Sequence, residues 1–471
     1  MRRVRKPSLA WLACVVAMIP AVACAPDPPP DLAPVASRYI QLTLGLARHD
    51  PSLVDHWLIT APDSPPRREP VVTLRAEVDR LAADLAVVLP RTQGDDRQRA
   101  AHLEGQIRAL QLVARRLMGE SLPFTAEARL GLGIEPTRPN LVAIERARAA
   151  LDAELPGPGP LAERVTRFRA SFIVPPPNRD ATMRAALTAC REATRAAGLP
   201  LPDDEAIELA WADGLPWDAH ARYLGGHRTR ITVNASQPLD LARALRLACH
   251  EGYPGHHAQY IWTADAPVAG RGWTELALVP GFGPDLLIAE GAAEAGADLA
   301  LPPDERPAVY RDALAPAAGL TGLTDDDLQR LARIEALLAD IEPVIGDIAG
   351  AYLDNRTTAA AAAQRLADEA LLVDPDAFVA FIERRRTRLL AYSEGRRLVH
   401  DAISRHGIGY LHGLFTSRVL TVDQTEVPAS RTRRESPNHP ITQSPNPNHS
   451  MNNPPILQSP MNRQSPITNH Q

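Results

Sequence analysis

The octapeptide His250-Glu251-Gly252-Tyr253-Pro254-Gly255-His256-His257 is the most informative part of this 471-residue chain. It follows a run of good helix formers, Leu239 to Cys249, and places a His-Glu pair just before a His pair. A catalytic zinc site needs imidazole or carboxylate ligands, one open position for water, and a base beside that water. His250 and Glu251 can supply a ligand and the base, so the stretch predicts a metal site at the end of a helix.

The identity of the second histidine ligand stays open on the residues alone. On an uninterrupted helix His257 would lie about 20° from His250, and His256 about 120° from it. However, Pro254 lacks the N–H that would bond back to the carbonyl of His250, and Gly255 loosens the turn. The sequence therefore predicts a bulged or restarted helix, in which the regular spacing no longer selects His257.

The octapeptide resembles the HExxPGHH signature of the bacterial family known as domain of unknown function 885, whose members are regarded as zinc metallopeptidases. The resemblance implies that His256 is the second ligand, with His257 as its substitute. In that family a later helix carries Glu-Gly-Trp-Ala and a further Glu. This chain has Glu290-Gly291-Ala292-Ala293-Glu294, which places Glu290 as the third ligand, although Ala292 replaces the Trp. The resemblance thus implies one Zn²⁺ per chain.

Two further residues complete the expected site. Glu294 lies one turn beyond Glu290, where it can accept the other ring N–H of His250 or His256, an arrangement similar to that of Glu-zincin peptidases. The family resemblance covers most of 34–425 and implies a catalytic role for Tyr392, within Tyr392-Ser393-Glu394-Gly395. The Pro-Gly-Gln-Ala stretch usual before that tyrosine is absent from this chain.

The expected fold is mainly α, a multi-helix zincin-like metallopeptidase fold with a small antiparallel sheet beside the metal-binding helix. Aromatic residues are only 4% of the chain, and apolar positions recur three and four apart over much of its length. We expect an N-terminal helical region over 34–200 and a metal-binding catalytic region over 201–428. The predicted strands are 207–211, 219–224 and 229–233, and the later predicted helices are 239–262, 284–300, 303–318, 325–352, 357–371 and 375–406.

Both ends of the chain differ from this globular part. Residues 1–24 combine a basic start with an apolar stretch that ends in Ala21-Val22-Ala23 before Cys24, which predicts a signal peptide of the lipoprotein kind, with Cys24 as the lipidated residue. A Pro-rich tether over 25–33 follows. Residues 429–471 are rich in Asn, Pro and Ser and are predicted to be a disordered low-complexity tail.

Charge and cysteine content limit the partners. The formal net charge is −5, which gives no electrostatic footprint for nucleic acid, and membrane contact is expected only through the N-terminal lipid anchor. The protein is expected to be exported, as a cell-envelope lipoprotein or otherwise as a periplasmic or secreted protein. Cys190 and Cys249 would then form either one disulfide or two buried free thiols.

These features predict an exported zinc-dependent peptidase that acts on a peptide substrate with Glu251 as general base. Arg228 or Arg230 is a candidate for holding a substrate carboxylate, and the strand 229–234 for pairing with an extended substrate backbone. The alternative is an exported lipoprotein that keeps the fold, with or without the metal, but acts as a non-catalytic binding or envelope-maintenance protein. Histidines outside the motif are expected on the surface or in the core: His220, His227, His400, His406 and His412.

Overall fold

The computed structural model describes residues 30–61 and 66–417. Most of these residues are helical, which confirms the mainly α prediction. The predicted signal peptide with Cys24, the tether up to residue 29 and the tail 429–471 lie outside the described residues.

Seven helices precede the main sheet in the described residues: α1 (Ala33–Ala47), α2 (Val71–Val88), α3 (Gly94–Leu117), α4 (Phe124–Gly131), α5 (Leu141–Glu154), α6 (Leu161–Arg169) and α7 (Arg179–Ala196). The strands are β1 (Val54–Trp57), β2 (Ala206–Ala212), β3 (Ala219–Gly225), β4 (Arg228–Asn234) and β5 (Leu278–Pro280). The helices after the main sheet are α8 (Leu241–Glu251), α9 (His256–Thr263), α10 (Gly283–Ala300), α11 (Arg306–Val309), α12 (Ala315–Ala318), α13 (Asp325–Ile341), α14 (Val344–Leu353), α15 (Ala359–Asp368), α16 (Pro375–Arg385), α17 (Leu390–His406) and α18 (Gly409–Thr416).

The main sheet has three strands in the order β2-β4-β3. β3 and β4 form an antiparallel hairpin around Gly226 and His227, both with positive φ, as a tight two-residue turn requires. β2 joins the other side of β4 in parallel, because the chain crosses the end of β4 between β2 and β3. The side-chain amide of Asn234 holds that crossing by donating to the carbonyls of Leu215 and Trp217. A second, two-stranded antiparallel sheet joins β1 and β5.

This strand order overturns one expectation. Strand β4 is paired on both sides over its length, so its backbone N–H and C=O groups are used within the sheet. The prediction that 229–234 pairs with a substrate backbone is therefore wrong.

The predicted helix 239–262 is interrupted where the sequence predicted a break. α8 ends at Glu251 and α9 begins at His256, with a cis peptide bond between Tyr253 and Pro254. The amide of Gly255 donates to the carbonyl of Cys249, 3.1 Å away. A Cβ on Gly255 would lie 1.7 Å from the carbonyl oxygen of His250, so only glycine fits this turn.

Other predicted helices are divided in a similar way. The helix predicted over 325–352 is split into α13 and α14 around Pro343. The helix predicted over 375–406 is split into α16 and α17 by a short 3-10 turn that starts at Arg386, whose φ is +51°. Proline and left-handed backbone both break the helical hydrogen-bond ladder, and the second of these has no marker in the sequence here.

The packing of α7, α8, α10 and α17 positions the site. Cys190 of α7 and Cys249 of α8 form a disulfide, which settles the alternative that the sequence left open. α10 and α17 approach closely at two glycines: a Cβ on Gly291 would come within 2.1 Å of the carbonyl carbon of Gly395. This contact explains the glycines that follow Glu290 and Glu394, and it brings Glu290 and Tyr392 to the same side of α8.

Candidate metal centre

Three predicted ligands converge at the break between α8 and α9. Candidate ligand atoms of His250, His256 and Glu290 all lie within 4.8 Å of one another. Oε2 of Glu290 is 3.2 Å from Nε2 of His250 and 3.6 Å from Nε2 of His256. The rings of the two histidines meet edge to face, with centroids 4.8 Å apart.

The outer nitrogen of each ring is held by a neighbouring side chain. Nδ1 of His250 lies 2.7 Å from Oε1 of Glu294, the partner that the sequence predicted. Nδ1 of His256 lies 3.2 Å from Oε1 of Gln259. The amide nitrogen of Gln259 donates to the carbonyl of Ala289, so its oxygen faces the ring and accepts the Nδ1 proton. The contact with Gln259 places a proton on Nδ1 of His256 and leaves its Nε2 as an electron-pair donor, and Glu294 is the carboxylate closest to Nδ1 of His250.

Three electron-pair donors therefore face one another in a buried place. His250 and His256 are buried, and Oε2 of Glu290 has no hydrogen-bond partner among the described residues. Such a set is stable only with a proton or a cation between its members. In the chain alone, burial disfavours the charged ring of His250, but the carboxylates of Glu294 and Glu290 raise its pKa well above the usual value.

The donor set fits zinc in type and spacing. Two imidazoles and one carboxylate are a common catalytic ligand set, and they leave a fourth position open. Ligands about 2.0–2.1 Å from a tetrahedral zinc ion lie roughly 3.3 Å from one another. The separations of 3.2 and 3.6 Å between the Glu290 oxygen and the two ring nitrogens agree with that spacing.

Glu251 and Tyr392 flank this group. Glu251 is the last residue of α8, its side chain is buried, and its Oε2 has no hydrogen-bond partner among the residues described. The ring of Tyr392 stacks near that of His250, with centroids 6.4 Å apart. Burial, and then the charge of Glu290, raise the pKa of Tyr392, so its hydroxyl stays protonated.

His257 does not join the group. Its Nδ1 lies 2.7 Å from the hydroxyl of Thr229, and its Nε2 lies 3.0 Å from Oε2 of Glu205. Both ring nitrogens thus contact residues in or next to the main sheet, and the side chain is completely buried. The expectation that His257 could substitute for His256 is wrong, because the turn at Gly252–Gly255 points the two rings in different directions.

Arg228 and Arg230 are also engaged elsewhere. Both guanidinium groups pair with the carboxylate of Glu208 on the neighbouring strand β2, with Arg230 Nη2 at 2.9 Å. The two arginines and Glu208 lie on the outer face of the sheet. Their carboxylate partner is thus within the protein, contrary to the expectation that they hold a substrate carboxylate.

Three polar residues that no sequence motif marks as functional lie close to one another: Asp55, His56 and His220. Asp55 of β1 contacts both His56 and His220, and the ring of Tyr260 lies between His56 and His256. A second set of potential metal-ligating side chains is formed by Asp55, His56 and His220. Asp55 and His56 lie about two hundred positions before the octapeptide in the chain, so no short motif could connect them with it.

Comparison with known proteins identifies no family for this chain. No family model matches the sequence, and no curated protein matches it. A solved structure described as "a putative lipoprotein of unknown function" from Shewanella oneidensis is similar over 72% of this chain and 73% of its own, with 12% sequence identity and a TM-score of 0.40. None of the helices in residues 30–61 and 66–417 is long and apolar enough to cross a membrane.

Proposed function

We propose that this chain is a zinc-dependent peptidase whose metal is held by His250, His256 and Glu290. The observation that carries the proposal is the convergence of the Nε2 atoms of two buried histidines on one buried carboxylate oxygen. When bound, zinc would polarise the scissile carbonyl and lower the pKa of water. Glu294 and Gln259 fix the rings so that both donors point inward.

Glu251 acts as the general base in this proposal. It is held at the end of α8 next to His250, and one of its oxygens is buried without a partner among the described residues. That oxygen can accept a proton from the attacking water and return it to the amine that leaves when the peptide bond breaks. A buried carboxylate oxygen without a hydrogen-bond partner costs folding free energy, and a catalytic role explains why such an oxygen is kept here.

Tyr392 is placed to donate a hydrogen bond to the substrate. Its protonated hydroxyl belongs to the ring that stacks near His250, so it can face the carbonyl oxygen on which negative charge develops. This role agrees with the one that the family resemblance implies. Export of the chain, with lipidation at Cys24, belongs to the proposal as well, and rests on residues 1–24 of the sequence.

Comparison of the wild-type protein with Glu251→Gln tests the function. Both proteins are loaded with zinc and assayed against short peptides with blocked and free ends. We expect the variant to keep its zinc and to lose hydrolysis by roughly 10²- to 10⁴-fold, because only the base is removed. A wild-type protein that holds zinc but hydrolyses no peptide would contradict the proposal and favour the non-catalytic lipoprotein.

A further inference from the structure

Asp55 connects two histidines beside the metal centre. Its Oδ2 lies 2.9 Å from Nδ1 of His56, and its Oδ1 lies 2.9 Å from Nε2 of His220 on strand β3. His56 is buried against the ring of Tyr260, with ring centroids 4.8 Å apart. Tyr260 in turn stacks on the ligand His256, at 5.8 Å. Ring contacts through Tyr260 thus link the cluster to the proposed ligand His256.

The hydrogen bonds fix the protons of this cluster. The backbone N–H of Tyr223 points at Nε2 of His56, 3.4 Å away, and it can only donate. His56 therefore accepts at Nε2 and carries its proton on Nδ1, towards Asp55. This tautomer leaves His56 without a lone pair for a metal, so the cluster is a hydrogen-bonded support for His220 rather than a second metal site.

Asp55 favours the charged form of His220, and the side chain of His220 can reach solvent. Its side chain is 33% exposed and packs beside the ring of Trp217. Burial and the nearby Arg222 lower the pKa of His220, but the contact with Asp55 and the charge of Glu251 outweigh them and raise it.

Arg222 adds a second cation on the same face of β3. Residues two apart on a strand point to the same side, about 7 Å apart. Arg222 is exposed, and no carboxylate within ion-pair distance is found for it among the residues the structure describes. The outer face of the sheet carries Arg222, Arg228, Arg230 and His220 against Glu208 and Asp55, and is therefore positive in a chain whose net charge is −5.

We propose that His220, positioned by Asp55, and Arg222 form a subsite on edge strand β3 that binds a carboxylate of the peptide substrate. This inference rests on the proposed function and names its substrate class, peptides with a carboxylate near the cleaved bond. The carboxylate is either the free C-terminus or an acidic side chain. Arg228 and Arg230 are excluded because Glu208 already occupies them.

Direct binding tests the subsite without any need for turnover. The background is zinc-loaded Glu251→Gln, and the probes are N-acetyl-tetraalanine, its C-terminal amide, and the amide of N-acetyl-Ala-Ala-Ala-Glu. Titration calorimetry gives a Kd for each probe. Arg222→Gln and His220→Gln are compared with Arg184→Gln, which removes an exposed arginine that pairs only with Asp180 on α7.

We expect at least one of the two carboxylate probes, the free acid or the glutamate amide, to bind at least about tenfold more tightly than the tetraalanine amide, a difference of about 1.4 kcal/mol. Arg222→Gln and His220→Gln should each bring this ratio close to one, while Arg184→Gln should keep it. If the glutamate amide binds more tightly than the tetraalanine amide, the subsite accepts an acidic side chain. If only the free acid binds more tightly, the subsite accepts the C-terminus. Equal binding of all three probes, no detectable binding of any probe, or a ratio unchanged in both variants would overturn the inference. A carboxylate preference without hydrolysis by the wild-type protein would overturn the proposed function alone.

Discussion

At the scale of single residues, the choice between His256 and His257 depends on the backbone between two short helices. The sequence predicted the break at Pro254 and Gly255, but a broken helix has no fixed angle from which the facing ring can be calculated. The structure decides the question through Gln259 and Glu205, which hold the two rings on different sides. The partner of His257 could not be predicted from spacing, since Glu205 lies far from the octapeptide in the chain.

This difference gives a direct prediction for the histidine pair. His256→Ala should lose zinc, because it removes one of three proposed ligands. His257→Ala should keep zinc, although the protein should be less stable by about 1–3 kcal/mol, because Glu205 and Thr229 lose a buried hydrogen-bond partner. Elemental analysis and urea unfolding of both variants provide the readouts. If His257→Ala proves to be the zinc-free variant, the ligand assignment is wrong.

His227 gives a prediction for the dependence of stability on pH. Its Nδ1 lies 2.9 Å from Asp204 and its Nε2 lies 3.0 Å from Asp265, so both contacts need the protonated ring. The contact with Asp204 raises the pKa of His227 above its ordinary value, and the contact with Asp265 adds to this effect. The stabilisation is therefore complete below about pH 6.5, the unfolded value, and is lost as pH rises through the higher folded value.

His227→Asn should flatten this dependence, since asparagine tolerates the positive φ of 56° at this position but does not titrate. We expect the variant to be destabilised by about 0.2–1 kcal/mol at pH 5.5 to 6, because the carboxylates are largely exposed, and by less at pH 9. Urea unfolding at several pH values measures the difference. An identical pH profile for wild type and variant would show that His227 contributes no such stabilisation.

At the scale of helices and strands, hydrophobic period and breakers were sufficient to predict most of the secondary structure after residue 200. The three strands of the main sheet lie where alternation predicted them. The parallel pairing of β2 was not predictable, because a loop of 213–218 can lead either to a neighbouring strand or across the end of one. That topology removes β4 as a substrate-binding edge and leaves β3 at the edge next to α9.

The turn between α8 and α9 should tolerate no side chain at Gly255. Gly255→Ala would place a Cβ 1.7 Å from the carbonyl oxygen of His250, so the end of α8 must move. We expect a loss of at least about 2 kcal/mol in the free energy of unfolding and weaker zinc binding. Gly413→Ala is the control, because a Cβ there meets nothing within 4 Å. Comparable stability and zinc affinity in the two variants would contradict the close approach.

At the scale of the whole molecule, the site is assembled from parts far apart in the chain. The ligands come from α8, α9 and α10, Tyr392 from α17, and the Asp55 cluster from β1 and β3. The proposed ligands could be singled out from the sequence because they belong to two short motifs with a chemical reason for their spacing. Asp55, His56 and His220 could not, because each is an ordinary polar residue until the fold brings them together.

Zinc stoichiometry tests the central claim most directly. The wild-type protein and the variants His250→Ala and Glu290→Ala are loaded with zinc, freed of excess metal on a desalting column, and measured by elemental analysis. The two imidazoles and one carboxylate predict one zinc per chain in the wild type, and almost none in either variant. A folded wild-type protein with far less than one zinc, or variants that keep the full amount, would contradict a metal centre at this site.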